Sequence, residues 1–492
     1  MPLLALDIPP GVIKSGTNLQ QANSWNDSNL VRWHEGSLQP FGGWRKRTAS
    51  TFTGISRALI TYRDNSGNRR TALGTESKLY VVDQTNAIHD ITPASFTTGT
   101  ANAVQNLGWS ALTWSASEWG TPRPDTGPYT PVTTWSLDTW GEYLLGCSST
   151  DGKIYQWANN TSNVAAVVTN APTNNAAIIV TEERFVFALA AGGERDRVEW
   201  CDQENNTVWT AAATNQAGGF NLNTVGEIVT GQRVRGGTLI ITSTDAHVAR
   251  YTGPPFVFSF NKVGTGCGAI SANASVQADT FACWMGDNGF FMYDGGGVRS
   301  LTSTVSEFVF SNMNKDQRSK CFAVLNAQFN EVIWFYPSSD SLENNRYVAW
   351  NFRENHWSIG SMSRTAGADI GVFSYPNYAS SDGYLYEHEI GFQYDDETIF
   401  VESGPVQIGQ GDRLMVARSL IPDEKTQGDV SATFKTRNFP NATEESHGPF
   451  TMANPTSVRF QGREVSMRIE AAKTTDWRVG TMRLDVVPGS RR

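Results

Sequence analysis

Short runs of apolar and aromatic residues, each behind a turn, recur along most of this 492-residue chain. The pattern is fullest between Phe281 and Val305. An apolar run, Phe281 to Met285, is broken by Gly286-Asp287-Asn288-Gly289, which has the chemistry of a tight hairpin because Asn and Gly tolerate positive φ. Phe290 to Tyr293 reads as the return strand, Gly295-Gly296-Gly297 as a second turn, and Val298 to Leu301 as a third strand with alternating pattern. Together these make most of a small antiparallel meander.

The return strand repeats at Lys78-Leu79-Tyr80-Val81, Lys153-Ile154-Tyr155-Gln156-Trp157, Arg197-Val198-Glu199-Trp200, His247-Val248-Ala249-Arg250-Tyr251, Phe290-Phe291-Met292-Tyr293, Arg346-Tyr347-Val348-Ala349-Trp350 and Gly383-Tyr384-Leu385-Tyr386. After one wider first gap the copies lie roughly 35 to 60 residues apart, the period of a four-stranded blade in a propeller. The sequence therefore predicts an all-β fold, a β-propeller of six to eight blades with seven the best count. Its windows are 56–92, 133–168, 174–222, 226–266, 271–311, 321–362 and 368–409.

Both ends differ from this repeat. Residues 1–50 hold Trp25, Trp33 and Trp44 among polar residues, with 28–36 reading as a strand closed by a Gly turn and Arg45-Lys46-Arg47 as a solvated strand end leading into the next unit. After Gly411 three stretches alternate, at 429–436, 465–471 and 481–487. The predicted organisation is an N-terminal segment, 1–50, that joins residues 410–492 in a smaller β-sandwich-like platform, with the propeller at 51–409 between them.

The repeat lapses at 93–135. Trp109, Trp114 and Trp119 stand five apart there, a spacing that fits neither one helix face nor one strand face. A long irregular insertion is expected to be a docking arm, with these three as interface aromatics, or an arm packed on its own propeller.

Composition narrows the function. Hydrophobic residues are 39%, charged residues only 18%, and Gly 45, Trp 16, Tyr 14 and Phe 25 fit a turn-rich β protein. A net charge of −9 argues against gripping nucleic acid through its phosphates, though an acidic wall would let a duplex slide past. Cys147, Cys201, Cys267, Cys283 and Cys321 are odd in number and widely spaced, so buried reduced thiols are expected rather than disulfides or a zinc site. The opening residues lack a basic region and are broken by Asp7 and Pro9-Pro10, so neither a signal peptide nor a membrane span is expected.

Candidate chemistry is sparse. The six histidines form no H-E-x-x-H, and His388, between Glu387 and Glu389, would point away from both carboxylates on a strand. The run Asp395-Asp396-Glu397 reads as a solvated hairpin tip rather than a glycosidase pair or a metal set, and is the candidate for an acidic tip facing a lumen. Ser148 to Trp157 resembles the Asp-box turn of sialidase-like propellers, but Asp151 and Gly152 are adjacent where that motif has a residue between them. No catalytic, cofactor-binding or metal-binding residue is assigned, and no cofactor is expected.

Leu6-Asp7-Ile8-Pro9-Pro10-Gly11, Asn29 to Trp33, Gly42-Gly43-Trp44-Arg45, the stretch Trp284 to Gly295, Asn351-Phe352 with His356 to Gly360, and Gly480 to Leu484 together resemble the tail nozzle, or packaged-DNA stabilisation, proteins of short-tailed bacteriophages. That resemblance implies a non-enzymatic virion protein, assembled in the host cytoplasm as a homohexameric tube below the portal and the tail adaptor protein. It would retain packaged DNA and conduct it during ejection without reading its sequence, with tail fibre or tailspike and needle proteins as further partners. The alternative is a glycan-binding propeller or a glycoside-processing enzyme of a phage tail.

Overall fold

The protein is described here from a computed structural model covering residues 3–104, 130–407 and 413–490. Seven four-stranded antiparallel sheets follow one another along the chain, the first six each a meander with its strands in sequence order. They span 58–90, 135–167, 177–221, 228–265, 275–301, 322–361 and, for the seventh, 366–388. The innermost strand of each sheet adjoins that of the next, and the ring closes where Ala366–Ala368 meets Ala58–Arg63. The protein is a seven-bladed β-propeller. Each return strand named above is the third strand of its blade.

The core lies between blades rather than within them, because a blade buries its apolar faces only against its neighbours. Trp140, Leu145 and Ile154 of the second blade pack on Ile178, Val186 and Ala188 of the third, and Val234 and Leu239 of the fourth on Trp284 and Tyr293 of the fifth. Phe290 lies 4.8 Å, ring centre to ring centre, from both Trp334 and Trp357 of the sixth. Close approach fixes some of the glycines. A Cβ on Gly74 would stand 2.3 Å from the Trp135 ring of the next blade. The turn at 286–289 forms as expected, with Gly286 N–H donating to Gly289 C=O, but for another reason than positive φ: a Cβ on Gly286 would meet the Phe291 ring at 2.6 Å.

The seventh blade differs from its sequence reading. Its fourth strand is Trp44–Lys46, from the other end of the chain, paired with Leu385–His388. The strands Phe400–Ser403 and Val406–Gln407, inside the window expected to finish the propeller, pair instead with Trp25–Asn29 and Glu464–Ala471. A short alternating strand carries no label for its sheet, so the boundary drawn at 409 gives way to one after His388. The basic run shares in this correction. Arg45 and Lys46 are exposed, but Arg47 is buried and donates to Thr71 Oγ1 (2.8 Å), Asn86 Oδ1 (2.8 Å) and Asn377 Oδ1 (2.7 Å), tying the first blade to the seventh.

The platform consists of two facing sheets. One has the order Leu3–Leu6, Met482–Pro488, Met415–Ile421, Thr456–Gly462; the other runs Trp25–Asn29, Phe400–Ser403, Glu464–Ala471, Val430–Arg437, Glu445–Thr451. Leu6, Met415 and Leu484 from the first meet Val406, Phe434, Val465 and Met467 from the second. Both chain ends thus build one sandwich. The stretch 28–36 is two strands rather than one, broken at Leu30, whose φ is 54° and whose N–H donates to the Tyr347 hydroxyl (2.9 Å).

Candidate functional site

A cavity of about 230 Å³ lies on the propeller axis, lined by the inner strands of all seven blades. Several of its polar groups engage one another or the backbone. Arg233 Nη2 donates to Asp138 Oδ1 (3.0 Å) across the third blade, whose Val180 N–H donates to Asp138 Oδ2 (2.8 Å). Gln232 Nε2 donates to Ser275 Oγ (2.8 Å), and Ser136 Oγ to Ile178 C=O (2.7 Å). These bonds join inner strands that share no backbone ladder.

One side chain reaches across one end of the cavity. Asn273, in the turn before the fifth blade, donates from Nδ2 to the Arg57 carbonyl (2.6 Å) at the head of the first blade and lies 3.4 Å from the Trp135 carbonyl at the head of the second. Its own carbonyl accepts from Ala323 N–H (2.8 Å) of the sixth. Four of the inner strands are therefore tied together at this end.

The base of the irregular insertion is clamped beside the same end. Thr130 and Val104 bridge its two sides. Gln317 accepts from Ala103 N–H (3.0 Å) and donates to its carbonyl (3.2 Å), and Lys320 Nζ donates to Asn102 Oδ1 (2.6 Å), Leu342 C=O (2.6 Å) and Glu343 Oε1 (2.7 Å). Arg57 grips Glu343 through both terminal nitrogens at 2.8 Å and reaches Ala101 C=O with one of them (3.1 Å). Burial, with Arg57 nearby, lowers the Lys320 pKa to about 8 against the pull of Glu343. Glu343 is held below its usual value: burial opposes this, and the bonds from Arg57 and Lys320 outweigh it. The clamp is an ion-paired, mostly buried knot. Trp109, Trp114 and Trp119 lie outside the described residues.

A second knot fastens the N-terminal hairpin Val31–His34/Ser37–Pro40 to the last two blades. Arg32, 1% exposed, lies between the Phe41 and Phe329 rings and contacts Glu331 and Glu389, while Glu389 also accepts from Gly42 N–H (2.9 Å) and Asn326 Nδ2 (2.9 Å). One guanidinium faces two carboxylates. Burial raises the Glu331 pKa to about 7, with Arg32 opposing the shift.

Asp395, Asp396 and Glu397 form an exposed tip between the seventh blade and the platform strand Phe400–Ser403, where Asp395 accepts a hydrogen bond from Trp44 Nε1. His388 is buried, stacked on Trp44 (5.3 Å), and accepts from Arg364 Nε (2.7 Å). Burial, then the Arg364 charge, drives its pKa well below the usual value, so the ring is neutral. All five cysteines are free and buried, and burial raises the thiol pKa of each. Among the described residues no group of three or more His, Cys, Asp or Glu could hold a metal ion, and no helix is long and apolar enough to cross a membrane.

No protein-family model and no curated protein matches the chain. Among solved structures it is similar to selenomethionine-substituted virginiamycin B lyase from Staphylococcus aureus (7% identity, 70% of this chain and 98% of that one, TM-score 0.42). It is also similar to a streptogramin B lyase (9%, 70% and 96%, 0.40) and to the Neurospora crassa Pan2 WD40 domain (8%, 71% and 97%, 0.40). At these identities the similarity carries neither activity nor ligand to this chain.

Proposed function

We propose that the chain is a structural subunit of a viral tail nozzle, a ring of copies that extends the channel for packaged DNA and does no chemistry. Its residues resemble that family at both ends and in the fifth and sixth blades. The observation that carries the reading is the state of the propeller axis: Asn273 reaches across one end, and Arg233, Asp138, Gln232 and Ser275 inside are bonded within the protein. Propeller enzymes and binding modules need convergent polar groups free to meet a ligand in such a cavity. The remaining space of about 230 Å³ is far too small for a duplex, so a DNA path would run between copies. The two sheets formed by both chain ends suit a rigid building block, and a tail adaptor, fibres or tailspikes and a needle are the partners of such a ring.

Light scattering on the purified chain, followed by electron microscopy of it and of the particle, tests this. A closed ring of six on the tail axis is the expected result. A stable monomer in the virion, density away from the axis, or turnover of glycans would overturn it.

A further inference from the structure

The charge of the chain is unevenly divided. The whole sequence carries −9, yet residues 413–490 hold more Lys and Arg than Asp and Glu, so the acidic excess belongs to the rest, chiefly the propeller. Within the platform, the sheet Leu3–Leu6, Met482–Pro488, Met415–Ile421, Thr456–Gly462 turns Leu4, Leu6, Met482, Leu484, Met415 and Phe460 inward. Its other face is open. The four strands hold three arginines, Arg418, Arg459 and Arg483, all exposed, and a sole acidic residue, Asp485.

Register brings these groups together. Asp485 lies opposite Leu3 on one side and Ser419 on the other, and Arg483 opposite Ala5 and Ile421. Arg418 occupies the irregularity between Ala417 and Ser419, and Arg459, at φ 38°, is on the strand paired across that same irregularity. The Asp485 Oδ1 atom is buried without a hydrogen-bond partner. Leu3, 46% exposed, and Ala5 lie beside them on the edge strand.

We propose that this basic sheet face docks on the acidic propeller of a second copy of the same chain. The inference rests on the ring reading above, which requires two different, complementary patches on every copy, one basic and one acidic in this case. The propeller offers the counter-charge: Glu182 and Asp279 are exposed in the turns that follow the innermost strands of the third and fifth blades, at the same end of the ring. A duplex is the other polyanion that a basic face would attract. The mixture of arginines with Leu3, Ala5 and one carboxylate favours protein, since interface cores combine Arg with apolar contacts and a phosphate-tracking face has no use for Asp485.

The test is the full chain carrying Arg459→Glu and Arg483→Glu, compared with the wild type by light scattering at low and high salt and by mobility shift with a short duplex. Unchanged circular dichroism and melting establish that the variant is folded; if it is not, Arg459→Gln with Arg483→Gln takes its place. The expected result is a wild-type assembly that loosens with salt and a variant whose self-association is weakened at least about tenfold. Assembly unaffected by the substitutions overturns the docking proposal and leaves the ring reading standing. So does unaffected assembly with lost duplex binding, which would give the face to DNA. A wild-type chain that is monomeric at every concentration removes the ring reading itself.

Discussion

Arg32 Nη2 lies 3.1 Å from Glu331 Oε2, which joins the N-terminal hairpin to the sixth blade inside the protein rather than on its surface. A cation there is needed to offset carboxylates that have lost their water, and Glu389 at 2.6 Å adds a second. Arg32→Met should therefore destabilise the fold by about 3–5 kcal/mol, the cost of leaving a buried charge unpaired. Urea unfolding of the two proteins measures it. A loss below about 1 kcal/mol would mean that the carboxylates simply take up protons or reach solvent.

The same knot gives stability a pH dependence. Glu331 titrates at about 7 in the folded chain, with Arg32, Glu389 and Glu354 as the charges around it and Tyr347 beside it. Its ordinary value is 4.5. Between these values the folded form holds a proton that the unfolded chain has released, so the contribution is complete below the unfolded pKa and is lost as pH rises through about 7. It amounts to roughly 3 kcal/mol. Glu331→Gln should flatten the fall in stability between about pH 4.5 and pH 7, followed by chemical denaturation at a series of pH values. An identical slope in both proteins would assign the dependence to other groups.

Trp44 anchors the strand that completes the seventh blade. Its indole stacks on His388, meets the Tyr394 edge at 5.6 Å, lies 4.8 Å from the Arg364 guanidinium and donates to Asp395. Trp44→Ala should cost about 3–5 kcal/mol, as for other large aromatic deletions. Because the strand it occupies closes the seventh blade, amide exchange should accelerate first at 377–388 rather than throughout the propeller. Uniform acceleration would show that the blades open only together.

The blades were legible because the third strand of each is apolar and sits behind a turn, as at Ile154–Trp157 and Phe290–Tyr293. Seven such strands set the count. The borrowed strand Trp44–Lys46 was not legible: three residues with two exposed cations have the pattern of any strand end, and their partner Leu385–His388 is over 300 residues away. The knots were hidden for a related reason. Glu331 heads an apolar run, Val332 to Tyr336, and a carboxylate in that place was the one hint of a buried partner. Nothing local connects it to Arg32. Asn273, Arg57 and Lys320 likewise look like ordinary loop residues until the ring brings their loops to one axis.

The insertion separates into a base and an outer part, and the two should respond differently to deletion. Phe96 stacks on Trp135 at 5.2 Å, and residues 100–104 and 130–133 carry the bonds to Arg57, Gln317, Ser319 and Lys320. Removing 105–129 and joining Val104 to Thr130 through a short Gly-Ser link should leave melting within a few degrees of the wild type, since these two residues already bridge. Removing 95–130 should cost several kcal/mol more, because it strips Phe96 from the Trp135 ring and leaves the buried Lys320 without Asn102. Thermal melts of both deletions decide between them. Equal losses would show that the outer part also holds the propeller together, and equal tolerance would show that the clamp adds nothing to its stability.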